Sequence, residues 1–222
     1  MHDRAMVRFD LAITLQELGQ YTESMEYLEE SKEVFRGHGD TKRLVHCGIF
    51  EGVLLQRLKQ FREARETCLI LLSSTRNIEP ESLAALHQAI GFCSIELGDF
   101  KTAEANLETA LALNRQLGKP VEVMKVELGR GKLLTRRGQH QQAIDHLRSV
   151  RRQFLAAGMS EEAGLCGLEI VEAMLALGKA PQAENLARRI IDEFTKAGLS
   201  TRAITAVGYL TEARETRTAT RA

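Results

Sequence analysis

The sequence predicts an all-α protein, an alpha-alpha superhelix (solenoid) of about five antiparallel helix pairs followed by a C-terminal capping helix. Two patterns support this prediction. A block of similar residues recurs about every 40 positions, and the apolar residues between the blocks recur at three- and four-residue steps. The composition agrees: the 222 residues include three Pro, no Trp and 5% aromatic residues, which is typical of long helices.

The recurring block places one turn residue in register in five successive repeats. The segments ELGQYTESMEYL, RLKQFREARETC, ELGDFKTAEANL, RRGQHQQAIDHL and ALGKAPQAENLA align without gaps. Their shared turn positions, spaced by 40, 39, 40 and 40 residues, are Gly19, Lys59, Gly98, Gly138 and Gly178. A second series lies about halfway between them and contains Gly118, Gly158 and Gly198. Glycine suits the left-handed residue that closes a helix, so each repeat is predicted to be two helices joined by tight turns.

These turns divide the chain into eleven predicted helices. In order, the helices are 4–18, 22–36, 41–58, 61–76, 80–97, 100–117, 120–137, 140–157, 160–177, 180–197 and 200–214. The first ten form the repeats 1–40, 41–79, 80–119, 120–159 and 160–199. The eleventh helix is expected to cap the fifth repeat within a single domain, 1–214. The polar residues 215–222 are expected to form a tail.

A bulky residue usually follows the first turn of a repeat, and a small residue comes three positions later. The bulky residues are Tyr21, Phe61, Phe100 and His140, and the small ones are Ser24, Ala64, Ala103, Ala143 and Ala183. The pattern G-[DQ]-[YF]-x-x-A, followed four residues on by an apolar residue, resembles the helix junction of tetratricopeptide repeats. The family's first-helix glycine is matched by Gly52, Gly91 and Gly131, whereas Ala12 and Val171 replace it in the outer repeats and the signature Trp is absent. The 40-residue period resembles the longer repeats of kinesin light chains and many bacterial regulatory proteins.

This resemblance implies a protein-protein interaction scaffold that binds a peptide or helix of a partner. In the family, the first helix of each repeat lines a concave groove that receives the partner. Carried over by register, with Arg136 added from the cluster described next, the groove residues are Phe9, Ile13, Gln16, Ile49, Val53, Gln56, Gln88, Phe92, Ile95, Lys125, Leu128, Lys132, Arg136, Leu168 and Glu172. Most of them are apolar, which favours a hydrophobic peptide, a helix, or a neighbouring segment of the chain itself.

The fourth repeat differs because it carries a basic cluster. Lys125, Lys132 and Arg136 share a helical face by their seven- and four-residue steps. Residues 119–159 contain nine Lys or Arg and three Asp or Glu. We therefore expect this cluster to receive an acidic element of a partner. The alternative is that the face is simply solvated.

Two further alternatives concern the same charges. The second helix of the first repeat carries an acidic stripe, formed by Glu23, Glu26, Glu29, Glu30 and Glu33, so two copies of the chain could associate with opposite charges matched. Nucleic-acid binding through the basic fourth repeat is less favoured, because no aromatic-basic series accompanies the cluster. In addition, thirty Lys plus Arg balance thirty Asp plus Glu, which leaves no global basic field.

The residue pattern favours neither an enzyme nor a cofactor-binding protein. No phosphate loop, nucleophile elbow or zinc-protease motif occurs. His46 and Cys47 are adjacent and point to different sides of a helix, and His140 and His146 lack the four-residue spacing of ligands on one face, so no metal site is expected.

The four cysteines form no close pair and no C-x-x-C motif in the sequence, which is typical of reduced thiols in a cytoplasmic protein. No apolar run approaches the length of a membrane span. The chain begins almost directly with a helix and has no obvious capping repeat there, from which we expect a domain of a longer protein.

Overall fold

The structure, a computed structural model, describes residues 2–219. Within that range the chain forms eleven α-helices and no strand, which confirms the all-α prediction. The helices are α1 His2–Glu17, α2 Tyr21–Gly37, α3 Thr41–Arg57, α4 Phe61–Ser74, α5 Pro80–Glu96, α6 Phe100–Gln116, α7 Pro120–Arg136, α8 His140–Ala156, α9 Ser160–Ala176, α10 Ala180–Lys196 and α11 Ser200–Ala219.

The last helix extends further than the sequence suggested. We expected it to end at residue 214, but α11 continues to Ala219. Helix α11 packs along α10, and Ala206 and Ala213 are fully buried on it. Ala213 is the last buried position among the described side chains of α11, and Glu215 and Thr216 are exposed, so the helix continues past its packed part into the stretch that was expected to form a tail. Residues 220–222 of that expected tail lie outside the described residues.

The turns between helices repeat one hydrogen-bonding scheme. At the first turn, the Gly19 amide donates to the Gln16 carbonyl at 3.1 Å and the Gln20 amide donates to the Leu15 carbonyl at 2.9 Å. This pair of bonds is the Schellman arrangement, which requires a left-handed residue after the helix. Gly19 has φ +79°, and Lys59 adopts φ +61° at the equivalent position. The predicted turn series is therefore correct even where glycine is replaced.

The chain divides into two compact units, Met1–Lys119 and Pro120–Ala222. Unit 1 contains α1–α6, and unit 2 contains α7–α11. Within each unit, every helix packs against the next, and first helices of successive repeats also touch, as in the pairs α3–α5, α7–α9 and α9–α11. The single-domain assignment stays a prediction.

Small residues allow the two helices of a hairpin to approach closely. Ser24, Ala64, Ala103, Ala143 and Ala183 are all fully buried, and the Ser24 hydroxyl donates to the Ala12 carbonyl at 2.6 Å. A Cβ atom added at Gly91 would lie 2.8 Å from Leu107 Cδ2, and one added at Gly131 would collide with Leu147. In the fifth repeat, Val171 stands at the glycine position, and the close approach moves to Gly164 and Gly167 on the same helix, against α10.

The four cysteines lie in this packing rather than in a reactive site. Cys47, Cys68, Cys93 and Cys166 are free and fully buried. Burial raises the pKa of each thiol to about 12. Since the thiolate is the reactive form, these side chains act as small apolar residues of the core.

Candidate partner-binding surfaces

Nine of the predicted groove residues lie on the three first helices of unit 1, and we call the eight of them that are partly exposed the inner row. The row comprises Phe9, Ile13 and Gln16 on α1, Ile49, Val53 and Gln56 on α3, and Gln88 and Phe92 on α5. All eight are partly exposed. Five are apolar and three carry an uncharged amide, so the row presents apolar surface and amide hydrogen-bonding groups without a formal charge.

An aromatic contact that the repeat register does not predict joins two of these helices. The ring of Phe9 meets Phe50 edge-on, with centroids 5.6 Å apart and planes at 78°. Phe50 follows Ile49 and is itself partly exposed. Edge-to-face pairs stabilise by about 0.5–1.5 kcal/mol beyond their buried area. The contact holds the Phe9 end of the row in place. The signal in the sequence was an aromatic residue beside a predicted groove position.

Two predicted groove residues belong to the core instead. Ile95 is 1% exposed and Leu168 is 6% exposed, so neither can contact a partner. Helix α5 packs against α3, α4 and α6, and α9 packs against α7, α8, α10 and α11. The positions in register with them on α1, Gln16 and Phe9, stay partly exposed. A helix contacted from several sides therefore buries positions that are accessible on α1, and the groove does not carry over residue by residue.

The basic cluster of α7 is paired with carboxylates inside unit 2. Lys125 Nζ lies 2.9 Å from Glu122 Oε1, and Lys132 Nζ lies 3.8 Å from Glu169 Oε1. Arg136 forms an ion pair with Glu172 and reaches Glu169 Oε2 at 4.0 Å. Lys132 and Arg136 thus form one side of an ionic contact between α7 and α9, whereas Lys125 is paired within α7.

This contact extends to α11 through Glu172. The Tyr209 hydroxyl donates to Glu172 Oε2 at 3.3 Å. Burial, together with the Glu172 carboxylate, raises the pKa of Tyr209, so the phenol remains a donor throughout the neutral range. Glu172, predicted as a groove residue, therefore links α7 and α11. Leu128 on α7 is partly exposed, so an apolar side chain lies on the same helix as the paired cations.

Part of the acidic stripe on α2 is also paired within unit 1. Arg8 Nε lies 2.8 Å from Glu30 Oε2, and Lys32 Nζ lies 2.6 Å from Glu29 Oε1 and 2.9 Å from Glu51 Oε2. Burial alone would lower the pKa of Lys32, but its hydrogen bonds to Glu29 and Glu51 outweigh burial and raise it. Two of the five stripe carboxylates are thus engaged by neighbouring cations.

Between residues 2 and 219, no helix is both long and apolar enough to cross a membrane. No group of three or more His, Cys, Asp or Glu side chains in that range is arranged to hold a metal ion.

Comparison with known families supports the sequence resemblance. Family models described as tetratricopeptide repeat match residues 6–36 and residues 84–117. These segments lie within the first and third hairpins of the structure. The chain is a tetratricopeptide repeat protein. No curated protein sequence matches it.

Solved structures show the same fold at low sequence identity. The apo form of RapI is 19% identical with a TM-score of 0.64, and the match covers 97% of this chain and 85% of RapI. The nearly identical tetratricopeptide-like repeats of a putative kinesin light chain from Podosopora anserina are 18% identical with a TM-score of 0.61, covering 89% and 97%. A Rap protein complexed with competence and sporulation factor is 18% identical with a TM-score of 0.63, covering 96% of this chain and 64% of that protein.

Proposed function

We propose that this chain is a protein-interaction scaffold, rather than an enzyme, and that the inner row of unit 1 binds an apolar peptide or an amphipathic helix of a partner protein. The observation that supports this proposal is the uncharged, partly exposed character of the row on α1, α3 and α5. Apolar side chains would supply affinity by burial, and the glutamine amides would bind backbone groups of an extended segment.

The neighbours support the same class of function. The Rap structure complexed with competence and sporulation factor shows this fold in a protein that binds a partner. By analogy, the chain would act as the sensor or assembly module of a bacterial regulatory protein in the cytoplasm. This assignment is an analogy of fold.

The paired charges of α7 make an acidic partner less favoured there. A carboxylate arriving at Lys132 or Arg136 would replace Glu169 or Glu172 instead of meeting an open cation. Exchanging one partly exposed ion pair for another yields little free energy. An acidic element, nucleic acid and a second copy of the chain remain alternative partners, and each has its own outcome in the experiment below.

The test compares substitutions inside and outside the inner row. Val53→Gln and Ile13→Gln each remove apolar surface from the row without adding charge. Ile70→Gln makes a similar change at an exposed position of α4 and serves as the matched control. Each immobilised variant is titrated with the partner that the native chain retains from cell extract, after its helical content has been verified by circular dichroism.

We expect each inner-row variant to bind about tenfold more weakly, which corresponds to about 1.4 kcal/mol per side chain, and the control to bind normally. Equal affinity of all three variants would contradict the proposal. A fourth variant combines Lys132→Gln with Arg136→Gln and is titrated in the same way. If only this variant loses affinity for the partner, the acidic element at α7 is favoured. If the native chain retains only nucleic acid from the extract, nucleic acid is the partner. If it retains only further copies of itself, self-association is its function.

A further inference from the structure

One position near the end of the second helix distinguishes the second repeat from most others. The residues in register there are Phe35, Thr75, Asn114, Phe154 and Phe194. The three phenylalanines are fully buried. In the second repeat, the helix also ends early, because α4 has 14 residues and ends at Ser74, whereas α2, α6, α8 and α10 have 17. The second repeat therefore lacks both an aromatic ring and the last helical turn at this point.

The side chain that would face this ring is also missing. At the end of the first repeat, the Phe35 ring is faced by Arg43 of the following helix α3, whose guanidinium carbon lies 5.6 Å from the ring centroid. The residue in register with Arg43 on α5 is Ser82, 39 positions later. A Phe and an Arg are thus replaced by a Thr and a Ser. The three-residue turn becomes the five-residue loop 75–79, in which Asn77 adopts φ +57°.

These changes leave a pocket of about 150 Å³ in unit 1. Its lining combines the first turns of α3 and α5 with the whole loop: Thr41, Lys42, Val45, Thr75, Arg76, Asn77, Ile78, Glu79 and Ser82. Val45 is only 4% exposed and contributes apolar surface, as does Ile78. A cavity of this size can hold a benzene ring. The pocket thus has room for the aromatic ring that the second repeat lacks.

The polar groups of the pocket include hydrogen-bond donors without a partner. Ser82 is 6% exposed, and its hydroxyl makes no hydrogen bond within residues 2–219. It lies in the first turn of α5, whose leading amides have no acceptor inside the helix. Arg76 forms no ion pair with any carboxylate in the described part of the chain. Lys42 is already paired with Glu79 at 2.8 Å, so Arg76 and the start of α5 are the groups available to an anion.

We propose that this pocket binds an aromatic carboxylate. The ring takes the place of the missing phenylalanine against Val45 and Ile78, and the carboxylate accepts hydrogen bonds from Arg76 and Ser82. A free aromatic acid and the C-terminal aromatic residue of a peptide share this chemistry. The site is separate from the inner row and does not depend on the function proposed above.

The experiment follows the methyl signals of Val45 and Ile78 by nuclear magnetic resonance during titration with small probes. The probe that carries both groups is 3-phenylpropionate, benzyl alcohol carries the ring alone, and inorganic phosphate carries an anion alone. Gly-Gly-Phe and its C-terminal amide test the peptide source. The variants Thr75→Phe and Ser82→Leu fill the pocket by two routes. Thr109→Phe, at an exposed site on α6, is the matched control.

We expect 3-phenylpropionate to shift both signals saturably, with at least tenfold weaker binding of benzyl alcohol and phosphate. Either pocket-filling variant that folds should abolish the shifts, and Thr109→Phe should retain them. Tighter binding of Gly-Gly-Phe than of 3-phenylpropionate, lost on amidation, would identify a peptide terminus as the source, and the reverse order would identify a free acid. Absence of saturation at millimolar 3-phenylpropionate, or equal binding by a pocket-filling variant, would overturn the proposal.

Discussion

Lys59 keeps the backbone conformation of a glycine while carrying a full side chain. Its φ of +61° falls beside the +79° of Gly19 and the +75° of Gly98, and its amide donates to the Gln56 carbonyl at 3.0 Å as the glycine amides do in their turns. A Cβ atom in this left-handed region crowds the following carbonyl, at a cost of about 1–2 kcal/mol. The surrounding hairpin of α3 and α4 imposes the turn against the preference of the residue.

We therefore expect Lys59→Gly to stabilise unit 1. The gain is about 0.5–1 kcal/mol, because relief of the left-handed strain exceeds the greater flexibility of glycine in the unfolded chain. Urea denaturation measures the change. Lys59→Ala is the matched control and should gain little, because alanine retains the Cβ. If Lys59→Gly and Lys59→Ala were equally stable, the Cβ atom at position 59 would cost no free energy in the left-handed conformation, which would contradict the prediction.

At the scale of helices, two glycines in unit 2 separate packing from intrinsic helix propensity. Gly131 lies within α7, where an added Cβ would collide with the buried Leu147 of α8. Gly208 lies within α11, and an added Cβ there would meet no atom within 4 Å. The same change, Gly to Ala, thus gains similar helix propensity at both sites but crowds a neighbouring helix at only one.

Gly208→Ala should raise the free energy of unfolding by roughly 0.5–1 kcal/mol, the difference in propensity between glycine and alanine. Gly131→Ala should lower it by about 1 kcal/mol, since the strain of overpacking, typically 1–3 kcal/mol, exceeds the same gain. Both values come from urea denaturation at matched conditions. Stabilisation by both substitutions would mean that α7 and α8 can separate at negligible cost.

The sequence predicted features that depend on local chemistry better than those that depend on distant contacts. Turn glycines and three- and four-residue steps located nearly all helix ends within two residues, because capping and periodicity act over a single turn. The end of α4 was placed two residues late, at 76 instead of Ser74, because its loop contains Asn77 in place of glycine, and the end of α11 was placed five residues early, at 214 instead of Ala219. The charge of α7 was misjudged for a related reason. Its balancing residues Glu169 and Glu172 lie more than 30 positions away on α9, so only the fold reveals the pairing.

At the scale of the whole chain, the repeat architecture predicts how damage spreads. Each compact unit has its own buried cluster: Phe35 packs with Ala5, Ala12 and Leu28 in unit 1, and Phe154 belongs to the cluster of α7–α11 in unit 2. In repeat proteins, stability is approximately the sum of repeat and nearest-neighbour terms. Local lesions are then expected to open local segments before the whole chain unfolds.

Phe35→Ala and Phe154→Ala test this expectation as a matched pair, because the two residues are in register and both are fully buried. Each substitution should cost about 3–5 kcal/mol through lost burial and the cavity left behind. In hydrogen exchange measured by mass spectrometry, Phe35→Ala should lower protection in Met1–Lys119 and Phe154→Ala in Pro120–Ala222. The other unit serves each time as the internal reference. If either lesion lowers protection throughout the chain, the eleven helices unfold as one cooperative block, and nearest-neighbour packing does not limit the spread of local instability.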